Sequence, residues 1–88
     1  MNSKKEIIMY GANWCIDTRR SKLYFKKQKV EYTYINLDEH PEFEEKVREL
    51  NNGNRSVPTI SFPDGSVMVE PSNDELKEKF DSLEISTR

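Results

Sequence analysis

From Cys15 to Lys29 the chain contains neither proline nor glycine and is built of good helix formers, and a short strand-forming run stands on each side of this stretch. The preceding run, Lys5 to Tyr10, is apolar, β-branched and closed by Gly11, which favours a buried strand. The following run spans Glu31 to Leu37. There Thr33, Ile35 and Leu37 alternate against Tyr32, Tyr34 and Asn36, the period of two expected of a strand. A helix between two such strands is a βαβ unit, which implies a parallel pair joined by a right-handed crossover.

The second half reads differently. Asp38 and His40 are candidate caps, Pro41 suits a first helical turn, and Phe43, Val47 and Leu50 share one face before Asn51, Asn52 and Gly53 stop a second helix. Val57 to Phe62 and Ser66 to Glu70 are β-rich runs joined by Pro63, Asp64 and Gly65, which predicts a hairpin. Pro71 ends the second run. Ser72 and Glu75 then form a capping-box pattern, and Leu76, Phe80 and Leu83 give the last helix an apolar stripe. The order βαβ then ββα predicts an α/β fold with a four-stranded mixed sheet and helices on both faces.

With 88 residues there is room for one small domain, taken as residues 1–84, with a tail over 85–88 expected to fray. A net charge of −2 argues against nucleic-acid binding through bulk electrostatics. No apolar run approaches the ~20 residues of a membrane span, and residues 1–5 lack a signal-peptide pattern, so no membrane association and a cytoplasmic location are expected. One cysteine and one histidine leave no intramolecular disulfide and no usual metal-ligand set, so no metal is expected.

Cys15 falls where the first loop enters the first helix, and free backbone N–H groups with the positive end of the helix dipole favour a thiolate there. The next residues add Arg19, Arg20, Lys22, Lys26, Lys27 and Lys29 against one Asp17. A lone cysteine is otherwise a small buried hydrophobe, and a basic helix face is otherwise a solvated one. Trp14 before the cysteine, with Asp17 and Thr18 after it, fits a reactive thiol better than a core position.

The segment Ala12 to Arg20, with Trp14, Cys15, Thr18 and Arg20, resembles the W-C-x-x-C-x-R active-site segment of glutaredoxin-like proteins. Asn52 to Ile60 resembles their N-G-x-R-[TS]-V-P-T-[IV] segment, and Phe62 to Ser66 followed by Pro71 and Ser72 is similar to the mycoredoxin branch. The resemblance implies the glutaredoxin version of the thioredoxin fold with three helices, with Cys15 facing a cis Pro58. It also implies thiol–disulfide exchange in cell redox homeostasis, on mixed disulfides between proteins and a low-molecular-weight thiol. Catalytic residues are then Cys15 and Thr18, and substrate-binding residues are Trp14, Val57, Pro58, Arg55 and Ser72. A monomer is expected.

Two positions depart from that pattern. Thr18 stands where dithiol members carry the second cysteine, so exchange must follow a monothiol route, with Thr18 still able to donate a hydrogen bond to the sulfur. Glu70, Pro71, Ser72 and Asn73 replace the G-G-x-D segment of glutathione users, which leaves the co-reductant open among glutathione, mycothiol and bacillithiol. For Ser72 helix capping competes with ligand contact, and for Arg55 a plain loop position competes with it. Tyr10 fits the core, Asp17 a helix start, and His40 capping or solvent exposure. Rival readings are a redox-inactive binding domain and an iron–sulfur carrier.

Overall fold

A computed structural model describes residues 6–83. Residues 1–5 and the expected tail lie outside the described residues. The order is β1 (Ile8–Gly11), α1 (Ile16–Gln28), β2 (Thr33–Asn36), a 3-10 turn (Pro41–Phe43) leading into α2 (Glu44–Leu50), β3 (Thr59–Ser61), β4 (Val67–Val69) and α3 (Asn73–Ser82). The sheet runs β2-β1-β3-β4. β1 pairs parallel with β2 and antiparallel with β3, and β3 pairs antiparallel with β4, so the sheet is mixed as the sequence order requires.

The period of two along β1 divides the core. Met9 points to one face with Ile60, Phe25, Leu76 and Phe80, while Ile8 and Tyr10 point to the other with Leu37, Val47, Phe43 and Leu50. α1 and α3 therefore share one face and α2 covers the opposite one. Phe25 meets the Phe80 ring edge-on at 5.1 Å and the tilted Tyr32 ring at 4.7 Å, which joins α1 to α3 and to the chain entering β2.

Local signals end the elements. Lys29 closes α1 in the left-handed region at φ 59°, and its N–H goes to the Phe25 and Lys26 carbonyls. Ser72 starts α3 with a complete capping box. In the hairpin turn Gly65 takes φ 90°, and Asp64 accepts from Ser66 N at 2.9 Å and from Lys79 Nζ at 2.8 Å. The expected cap at His40 does not form: the residue occupies the position before the 3-10 turn, but its ring faces Glu42 at 3.3 Å and stays exposed. Asp38 does not cap either: it lies two residues before the N-cap position, and its Oδ2 accepts from Trp14.

Candidate active site

Cys15 is the N-cap of α1. Its N–H donates to the Ala12 carbonyl at 3.0 Å, its own carbonyl accepts from Arg19 N at 3.0 Å, and its backbone is extended at φ −84°, ψ 125°. This geometry leaves the first amides of α1 without acceptors in the helix and turned toward the end where the sulfur sits. The residue is half-buried, and Sγ lies 3.7 Å from the Val57 carbonyl, to which the thiol donates. The Val57–Pro58 peptide is cis, as the resemblance implied. Around it, Thr59 Oγ1 donates to the Ser56 carbonyl at 2.7 Å and accepts from Asn51 Nδ2 at 2.8 Å, and the Pro58 carbonyl accepts from Glu70 N at 2.9 Å. The loop before β3 is thus tied to α2 and to the end of β4, which fixes the Val57 carbonyl opposite the sulfur.

The other side of the site is held by β2. Trp14 is 65% exposed, and its Nε1 donates to Asp38 Oδ2 at 2.8 Å. Tyr34 donates its hydroxyl to Asn13 Oδ1 at 2.7 Å, and Lys22 Nζ stands 3.9 Å from the Tyr34 ring centroid. Burial holds the Tyr34 hydroxyl above its usual range, reinforced by Tyr32, Asp38, Glu39 and Cys15. The sequence reading placed Tyr34 only in a strand and Asp38 only as a cap, and it gave Asn13 no role at the site. Their contacts span 21 and 24 residues, and alternation along β2 marks only which side a residue takes.

Three expected site residues are engaged elsewhere. The Thr18 hydroxyl does not donate to the sulfur: the side chain is fully buried and Oγ1 accepts from Ala12 N at 3.4 Å. Arg55 pairs with Glu44 of α2, Nε to Oε2 at 3.1 Å. The Ser72 hydroxyl accepts from Glu75 N at 3.1 Å while Ser72 N donates to Glu75 Oε1 at 2.8 Å, so capping takes its polar groups.

The basic run is likewise spread along the helix rather than gathered at the sulfur. Arg20 pairs with Asp17 at 2.7 Å and donates to the Pro71 carbonyl at 2.9 Å, which links α1 to the start of α3. Lys26 and Lys27 lie in the last turn of α1. Tyr10 is core, 4% exposed. Between the starts of α1 and α3 an open groove is lined by Asp17, Arg20, Glu70, Asp74 and Glu75, so carboxylates outnumber cations there. Among the described residues no group of three or more His, Cys, Asp or Glu is placed to hold a metal ion, and no helix is long and apolar enough to cross a membrane.

Comparison with known proteins identifies the family. The glutaredoxin family model matches residues 7–67. The chain is 34% identical over 73 residues to a Mycobacterium tuberculosis protein described as a glutaredoxin, covering 83% of this chain and 87% of that protein. It is 32% identical over 77 residues to mycoredoxin 1 of Corynebacterium glutamicum, covering 88% of this chain and 95% of that protein. Its fold is similar to the crystal structure of a glutaredoxin from Archaeoglobus fulgidus, with a TM-score of 0.73, 27% identity and 86% of each chain covered.

Proposed function

The chain belongs to the glutaredoxin family of thiol–disulfide oxidoreductases, and from that premise we propose that it reduces mixed disulfides between proteins and a small thiol by a monothiol route. The observation that carries the reading is the placement of the chain's one cysteine at the N-cap of α1, half-buried and opposite the Val57 carbonyl.

In the first step the Cys15 thiolate attacks the small-thiol sulfur of the mixed disulfide. An S–S bond forms to Cys15, the original S–S bond breaks, and the protein sulfur leaves as a thiolate that takes a proton from water. In the second step a free small thiolate attacks the same small-thiol sulfur, which releases the symmetric small disulfide and restores the Cys15 thiolate. In sum, one free small thiol is consumed, the protein thiol is freed, and the symmetric disulfide forms from that thiol and the one released from the mixed disulfide, so no second cysteine is required. The α1 amides, that of Thr18 included, stabilise the anion. Val57, held beside the cis Pro58, offers its backbone to the substrate, and Trp14 walls the groove.

The groove between α1 and α3 bears on the co-reductant. Asp17, Glu70, Asp74 and Glu75 repel carboxylates, and Arg20 is already paired. This favours a thiol without free carboxylates, such as mycothiol, over glutathione or bacillithiol, each of which carries two.

The test is turnover of a peptide–small-thiol mixed disulfide with each of the three thiols as co-reductant. Turnover that is fastest with mycothiol and is abolished in Cys15→Ser supports the reading. No turnover with any of the three overturns it and leaves a binding domain of the same fold.

A further inference from the structure

α1 departs from the ordinary amphipathic pattern at Ile16, Thr18, Ser21 and Leu23. The side chains it buries completely are Thr18, Ser21 and Phe25, two of them polar, while Ile16 and Leu23 stand 74% and 67% exposed. In a chain only 34% hydrophobic, two aliphatic residues on one outer helix face are not a shortage of core positions to fill. The spacing of Ile16, Arg19, Leu23, Lys26 and Lys27 puts them on one side of the helix, and all five are exposed. Among the described residues, Arg19, Lys26 and Lys27 take part in no ion pair. The face begins one residue after Cys15, next to the exposed Trp14, and runs roughly 17 Å along the helix.

We propose that this outer face of α1 is a docking strip for the protein partner, and that the partner presents acidic and apolar side chains beside its disulfide. The proposal rests on the exchange reading above, because the strip matters only if its occupant delivers a disulfide to Cys15. Charge fixes the sign of the occupant. Residues 15–29 hold six cations against one acid in a chain whose net charge is −2, so the cationic surface is concentrated on the helix that carries the nucleophile. Unpaired cations around aliphatic side chains favour an acidic, apolar protein surface and repel a basic one. An anionic membrane shares the charge preference, but two aliphatic residues give little to insert, and lipid offers no disulfide to the adjacent sulfur.

The experiment uses the full chain and two synthetic peptides, each with one cysteine in a mixed disulfide with 2-mercaptoethanol, flanked by Glu and Leu in one and by Lys and Leu in the other. At low salt the acidic peptide is expected to be cleaved about tenfold faster than the basic one, a gap that closes as salt screens the strip. In Leu23→Ser/Lys26→Glu/Lys27→Glu the preference inverts while cleavage of bis(2-hydroxyethyl) disulfide is unchanged, since these side chains lie far along α1 from the sulfur. Fluorescence anisotropy of the same peptides with serine in place of cysteine reads docking without chemistry, and Leu23→Ser alone should weaken binding of the acidic peptide. Equal rates and equal binding for the two wild-type peptide arms overturn the proposal. So does a preference that survives the triple substitution. A dimer in sedimentation, or binding to phosphatidylserine vesicles, that is lost in the triple variant without any peptide preference assigns the strip to that other occupant and overturns it too. If no disulfide is cleaved, the exchange reading fails while anisotropy still decides the docking.

Discussion

Thr18 lies so close beneath Gly11 that a Cβ added to the glycine would stand 2.7 Å from Thr18 Cγ2 and 2.8 Å from Oγ1. The threonine that occupies the second-cysteine position is therefore a buttress. It fills the space under the end of β1, and its hydroxyl takes the Ala12 N–H, which sets the loop leading to Cys15. Gly11→Ala should lower stability by about 1–3 kcal/mol, the usual cost of forcing extra volume into a packed site. Gly11→Ala/Thr18→Ala should recover part of that loss, so the two substitutions are non-additive. Urea denaturation of the four proteins of this cycle checks it, and additive losses would refute the contact.

Trp14 and Asp38 make a second constraint on the loop, at 2.8 Å between exposed partners. Exposure limits its effect on global stability, and Asp38→Ala should change unfolding free energy by less than about 1 kcal/mol. Its effect belongs at the site: the indole becomes free to reorient, so Trp fluorescence anisotropy should fall and KM for a mixed disulfide should rise roughly threefold with kcat nearly unchanged. A lower kcat at constant KM would place Trp14 in the chemistry instead of in the binding wall.

Periodicity and local chemistry were the legible part of this fold. The face of Phe43, Val47 and Leu50, the hairpin around Gly65 and the capping box of Ser72 each follow from residues close in sequence, and each is present. Long-range pairings were illegible for the same reason: Arg55 with Glu44, Trp14 with Asp38 and Tyr34 with Asn13 depend on how loops are brought together. α1 is the instructive case. Helix propensity places it correctly, yet Thr18 and Ser21 point inward and Ile16 and Leu23 outward, because the site at its start fixes its rotation against the sheet. Thr18 was read by its position in a motif, and the donor expected at the sulfur is a buried packing residue whose hydroxyl oxygen accepts from Ala12 N.

Burial of three tyrosines bears on stability at alkaline pH. It raises the hydroxyls of Tyr10, Tyr32 and Tyr34 above the ordinary tyrosine value of 10.0. A group raised on folding contributes stability that is complete below the unfolded value and is lost as pH climbs through the folded one. As far as these three residues are concerned, stability should hold up to about pH 10 and then fall. Urea denaturation between pH 8 and 11.5, at intervals of about half a unit, tests this, and Tyr34→Phe should make the decline shallower. A fall of equal slope in the variant would remove Tyr34 from the cause.

Placing a thiol at position 18 tests the monothiol route directly. Cys15 is the N-cap and Thr18 the third residue of α1, the pair of positions across which an N-cap side chain turns back toward the first turn. Thr18→Cys also relieves crowding under Gly11, since one sulfur replaces a methyl and a hydroxyl. The loss of the Ala12 hydrogen bond should cost about 1 kcal/mol. With two thiols available, a mixed disulfide on Cys15 can be resolved within the chain: the Cys at 18 attacks Cys15 Sγ, the small thiol leaves, and an intramolecular disulfide remains. Wild-type protein treated with an oxidised small thiol should therefore keep that thiol attached, whereas the variant should release it and lose two hydrogens by mass. A variant that retains the attached thiol would show that the buried side chain at position 18 cannot reach the sulfur of Cys15.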